Sequence, residues 1–263
     1  MDALTLVSLL CHGAAATMYL VYHVGAREPV ARLARLALAV GVLLQAVDIG
    51  LRCVRGLHPA SSVSEAMAFS AWMISSAVLV ASLRYRLQAV GAFAVPASVV
   101  LLLLARVVPG GAAGGKPGLL GMVHVFLSTL GVATFALAAG IGALYLVQER
   151  RLKRHQIGRA RGAGAPLDTL DRLAARCVSV GFPVFTLAIV TGAVWVARLG
   201  IVQGHHPVRL EYLAALASWI AFGTLLVARF GSGWQGRRAA WLTVGGFAGV
   251  VLVVLGYFIR AAV

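Results

Sequence analysis

Seven histidines are the side chains best suited to chemistry in a chain that carries only eight aspartates and glutamates. A neutral imidazole can offer a lone pair to a metal or take up a proton near neutral pH, and an ionisable group in or beside an apolar run of membrane length usually has a purpose. His124 opens the run VHVFLSTLGVATFALAAGIGALYL, and His205 and His206 stand together in GHHP just ahead of another run. His12 falls inside the first run, His58 lies between two runs, and His23 and His155 adjoin basic segments. Each has a plainer reading as well: His124 as a helix cap or a partner of a loop carbonyl, and the adjacent pair before Pro207 as a solvated turn. Asp48 and Arg52 are spaced for an i,i+4 ion pair, with His12 and Gln45 at comparable depth to complete a small polar cluster. Cys11, Cys53 and Cys177 stand far apart with no C-x-x-C, which reads as small buried residues rather than a thiol relay. No Ser-His-Asp set, paired carboxylates, phosphate-binding glycine loop or metalloprotease motif appears, so catalysis by this chain alone is not expected.

The elements that must position these groups are membrane helices. The chain is 60% hydrophobic and 12% charged, and eight segments reach the roughly 20 apolar residues that cross a bilayer: about 4–24, 36–54, 63–83, 87–106, 120–147, 175–197, 212–229 and 240–259. Backbone groups in lipid must be satisfied within the segment, and runs this long are helices rather than barrel strands. The connections are too short for a separate soluble domain, so residues 1–263 are expected to form one all-α, polytopic membrane domain. The first run has no basic residue before Arg27 and reads as a retained span.

A net charge of +15 raises a nucleic-acid reading, but the distribution of the 23 lysines and arginines argues otherwise. The odd-numbered connections hold 16 of them and the even-numbered connections and tail hold 7. Excess positive charge marks cytoplasmic loops, which puts both termini outside and leaves no nucleic-acid partner to expect. His124, His58, His205 and His206 then fall at outer helix ends. The fifth connection, ERRLKRHQIGRARGAGAPLD, is long and basic enough to meet anionic lipid headgroups or an acidic partner. Local punctuation fits these boundaries. Ser62 and Glu65 form a capping box ahead of the third span, the five glycines and two prolines of Pro109 to Gly118 require an exposed loop, and Pro183 should bend the sixth span.

Three ordered passages resemble the cytochrome c assembly proteins of the CcsA, CcmC and HemX group. They are the histidine-led helix from Val123 that ends in the Gln-Glu-Arg-Arg-rich exit, the stretch LDRLAARCVSVGFPVFTLAIVTGAVW from Leu170 to Trp195, and GWQGRRAAW from Gly233 to Trp241. The first half of the chain resembles the group only in hydropathy. The resemblance implies a multi-pass protein of the bacterial inner (cytoplasmic) membrane, a part in cytochrome c assembly, and heme as cofactor. It places a ligand at His124; His206 and His205 in GHHP, which are expected to face the outer side as well, are further candidate heme ligands on their own residue chemistry.

The sequence also departs from that group. The tryptophan-rich loop ending in Trp-Asp-Pro, expected between the sixth and seventh spans, is replaced by ARLGIVQGHHPVRLEYLAAL, which lacks both tryptophan and aspartate. Val227 stands where a histidine is expected near the cytoplasmic end of the seventh span, and Gln45 where the second span often carries one. An alternative therefore stands beside heme handling: a HemX-like, non-catalytic scaffold that binds a protein partner from cytochrome c maturation or heme synthesis through the basic fifth connection.

Overall fold

Among the described residues, eight helices long and apolar enough to cross a bilayer follow one another. The computed structural model describes residues 3–25, 27–85, 87–108, 118–154, 165–203 and 210–262, and among them there is no strand. The helices are α1 (Ala3–Gly25), α2 (Glu28–Val54), α3 (Val63–Arg84), α4 (Gly91–Val107, entered through a 3-10 turn at Gln88–Val90), α5 (Leu119–Lys153), α6 (Leu167–Gln203), α7 (Leu210–Ser232) and α8 (Arg237–Ala262). The glycine-rich stretch 109–117 and residues 155–164 of the basic fifth connection lie outside the described residues.

Three helices begin or end well beyond the apolar runs. α2 starts at Glu28 rather than near 36, α5 continues to Lys153 rather than 147, and α6 occupies Leu167–Gln203 rather than 175–197. Hydropathy marks only the part of a helix that lipid touches, whereas an intrahelical hydrogen-bond ladder continues into the headgroup region where arginine stems reach water. At 1.5 Å per residue the 37 residues of α6 extend about 55 Å against about 30 Å of hydrocarbon. α6 also runs unbroken through Pro183, since a membrane helix tolerates the loss of one backbone donor when its neighbours pack closely.

α5 is the hub, packed against α3, α6 and α8, while α1 pairs with α2, α3 with α4, and α7 with α8. Its Phe135 is fully buried, stacked on Phe222 of α7 at 3.8 Å between ring centroids and edge-on to Phe185 of α6 at 5.4 Å. That aromatic cluster ties α5, α6 and α7 together and sets the framework on which His124 is held. Large apolar side chains such as Leu43, Leu83, Val180 and Val227 point outward, as lipid-facing positions should.

The start of α3 follows the capping motif in part. The Ser62 hydroxyl accepts from the Glu65 amide at 3.2 Å, but the Glu65 carboxylate is taken up by Arg52, whose Nη1 donates to Oε1 at 2.6 Å. A nearby arginine outcompetes the weaker return bond to the cap. Ser62→Ala should therefore cost about 1 kcal/mol through the cap alone. Thermal unfolding in detergent checks this, and an unchanged midpoint would contradict it.

Candidate functional site between α5 and α6

His124 lies one to two turns into α5 and is half-buried against α6. Its Nδ1 sits 2.9 Å from the carbonyl oxygen of Ala188. A carbonyl only accepts, so Nδ1 carries the hydrogen and Nε2 keeps the lone pair. The Thr191 hydroxyl stands 3.4 Å from the same Nδ1 but donates to the carbonyls of Leu187 and Ala188. Nε2 has one long contact, 3.5 Å from Ser128 Oγ, too long to hold the lone pair firmly.

Space for this ring depends on Gly192. A Cβ at that position would come within 2.7 Å of His124 Cε1, closer than packed atoms can approach. One turn beyond, Trp195 places its ring 5.8 Å from the imidazole at a 55° tilt and packs over Gly121 of α5. The facing turns of α5 and α6 thus present an imidazole of fixed tautomer beside one indole. Such a donor suits iron: a ligating histidine ordinarily donates its other ring hydrogen to a carbonyl or carboxylate, which orients it and raises its basicity. Met122, Val123 and Phe126 on the same turns are apolar and exposed.

His205 and His206 lie outside the described residues, as does His155. His58 is exposed in the α2–α3 connection. His12 and His23 belong to α1 and are not near His124: His23 is edge-on to Phe93 of α4 and its Nε2 lies 3.4 Å from Arg151 Nη2. Val227 faces lipid at 75% exposure, so in this chain that position does not look into the bundle. Gln45 does look inward, donating from Nε2 to the carbonyl of Ala68 at 2.9 Å. The three cysteines are unpaired and partly buried, and among the described residues no group of three or more His, Cys, Asp or Glu gathers as a metal set.

Two polar constellations were only half legible. The Asp48–Arg52 pair forms, with Nε 3.2 Å from Oδ2, but Thr5 of α1 also donates to Oδ2 at 3.1 Å and Arg106 of α4 stands 3.8 Å away. At the opposite end of the bundle, Asp171 of α6 receives Arg229 of α7 through Nη1 at 3.2 Å and Nη2 at 2.5 Å. The Gly236 amide completes that latch by donating to Asp171 Oδ1 at 2.9 Å, which ties the α7–α8 turn to the start of α6.

The sequence model of the family described as "Cytochrome C assembly protein" matches residues 60–261. The chain belongs to the cytochrome c assembly protein family. That match takes in α3 and α4, where the sequence by itself offered only hydropathy. The chain is similar to the cytochrome c biogenesis protein CcsA of Gloeothece citriformis (strain PCC 7424), 26% identical over 90% of this chain and 89% of that protein. It is similar to CcsA of Guillardia theta at 28% identity over 80% and 77% of the two chains. A shorter stretch is 39% identical to CcsA of Synechocystis sp. (strain ATCC 27184 / PCC 6803 / Kazusa), covering 34% of this chain and 26% of that one. As a cytochrome c assembly protein of eight apolar helices, the chain is a multi-pass membrane protein.

Proposed function

We propose that this cytochrome c assembly protein handles heme at the outer side of the bacterial cytoplasmic membrane, with His124 Nε2 as an axial ligand and no catalysis of its own. The observation that carries the proposal is the Nδ1 bond to the Ala188 carbonyl, which leaves the lone pair on Nε2. The relatives' name, cytochrome c biogenesis protein, supports the class of work. When bound, heme supplies an iron centre that accepts one or two imidazoles. His124 would hold the iron, Ala188 and Gly192 orient its ring, and Trp195 gives an aromatic edge. His206 and His205 are the candidates for a second ligand. The excess of lysine and arginine in the odd connections orients the chain with both termini outside.

A second reading rests on the opposite face. The cytoplasmic extensions of α5 and α6 expose Arg150, Lys153, Arg154, Arg172 and Arg176, a surface suited to anionic headgroups or to an acidic partner from cytochrome c maturation or heme synthesis. Spectroscopy separates the two readings. Protein expressed with ample heme and purified in mild detergent is expected to show a Soret band. Protein that remains heme-free under those conditions and after added hemin would overturn heme handling and leave the scaffold.

A further inference from the structure

Where the start of α1 meets the end of α2, the interface carries polar side chains on both helices. Thr5, Ser8 and His12 follow one another on α1, and Gly41, Gln45, Asp48 and Arg52 on α2, at the three- and four-residue spacing of a single helix face. Contacts join the two rows. Ser8 Oγ donates to the Gly41 carbonyl at 3.1 Å, Thr5 to Asp48, and the His12 ring packs on Gly41, where a Cβ would come within 2.7 Å of it. Lipid gives no reason for such a row, because an apolar side chain in any of these places would cost nothing to desolvate.

Two acceptors in the row have no donor. His12 is fully buried. Its Nδ1 donates to the Ser8 carbonyl at 2.8 Å, so Nε2 carries the lone pair, and that atom has no partner. Gln45 is 3% exposed, gives its amide hydrogen to Ala68, and leaves Oε1 unpartnered. A buried acceptor without a donor costs about 1–3 kcal/mol, and here two share one helix interface. Water is the small molecule that supplies donors alone to such atoms, and buried waters typically make about three bonds. Room for a single water exists: a cavity of about 10 Å³ is lined by Thr5, Ser8, Leu9, Gln45, Asp48, Leu102 and Arg106. It is bordered by the charged groups at the outer end of the bundle, Asp48 and Arg52 of α2, Glu65 of α3 and Arg106 of α4.

We propose that this cavity is a water-binding site, its water donating to Gln45 Oε1, and the inner end of a short polar lane, open to the outer side, that runs from the Asp48 ion cluster to Gln45. The ligand class is water. Heme plays no part in this site, which shares no residue with the surroundings of His124.

Silver ion passes where water passes and captures thiolate, so it can probe the lane. In a background with Cys11, Cys53 and Cys177 replaced by serine, Ser8→Cys and Leu9→Cys report on the cavity, and Val7→Cys, whose side chain faces lipid at 46% exposure, is the neighbour at the same depth. Silver added outside intact cells is expected to protect both cavity cysteines from later maleimide labelling roughly tenfold faster than Val7→Cys, because thiolate forms readily in water and poorly in hydrocarbon. Adding Gln45→Leu to Leu9→Cys should slow that protection. Equal rates at all three positions, or protection only from the cytoplasmic side, would overturn the lane, and Gln45→Leu without effect would overturn the part given to Gln45. Two independent reporters keep the test decisive should one variant fail to fold.

Discussion

His124→Ala is expected to remove the Soret band of heme-loaded protein or shift it to that of an unligated porphyrin, with heme affinity falling at least about tenfold. The substitution deletes the one Nε2 lone pair that α5 and α6 hold in place, and an alanine there leaves the Ala188 carbonyl with its ordinary helical partner. Gly192→Leu should give the same spectral loss although it removes no ligand atom. Its side chain would occupy the volume of the His124 ring, forcing the imidazole off the Ala188 carbonyl and turning Nε2 away. Outer-shell changes of this kind typically cost about 10- to 100-fold in affinity. Ser128→Ala, which removes only the 3.5 Å contact to Nε2, should change little. An unchanged band and affinity in His124→Ala would end the claim that this residue is a ligand, and normal binding in Gly192→Leu would show that the ring needs no fixed seat.

The largest loss of stability is expected at the latch between Asp171 and Arg229. Asp171→Ala strips a mostly buried Arg229 of both its carboxylate bonds and leaves the Gly236 amide without its acceptor. Breaking a buried pair by removing one partner costs about 3–5 kcal/mol. The double substitution Asp171→Leu with Arg229→Leu removes the stranded charge as well and should recover a good part of the loss, because two apolar side chains of similar size pack without a desolvation penalty. Thermal unfolding of the purified protein in one detergent gives the comparison. A double variant as unstable as the single one would mean that the α7–α8 turn, held through Gly236, matters more than the ion pair.

The sequence carried the eight spans, the Ser62 cap, the Asp48–Arg52 pair and the placement of His124 near a helix end, because each follows from neighbours within one helix or turn. What it did not carry lies between helices. Ala188 is 64 residues from His124, Asp171 is 58 from Arg229, and Arg106 and Thr5 reach Asp48 from two other helices. In a soluble helix the apolar stripe says which side faces the core. Here the side toward lipid is as apolar as the side toward protein, so Gly192 looks like any other small residue of a span until the facing histidine is seen. A weak signal was present in the spacing of Thr191, Gly192 and Trp195, where a glycine one turn before an interfacial tryptophan permits close approach of a neighbouring helix.

The acceptor that fixes the His124 tautomer is a peptide carbonyl rather than a side chain. A carboxylate in that role can be lost by a single codon change, and the imidazole would then be free to move its hydrogen. The Ala188 oxygen is present whatever residue stands at 188, so substitution there can reach the imidazole only through bulk. The protonation pattern of the site is thus inherited with the helix pairing itself. Variation among descendants of this chain can remodel the loops around the imidazole and still leave its lone pair on Nε2, as long as position 192 stays small enough for the two backbones to meet.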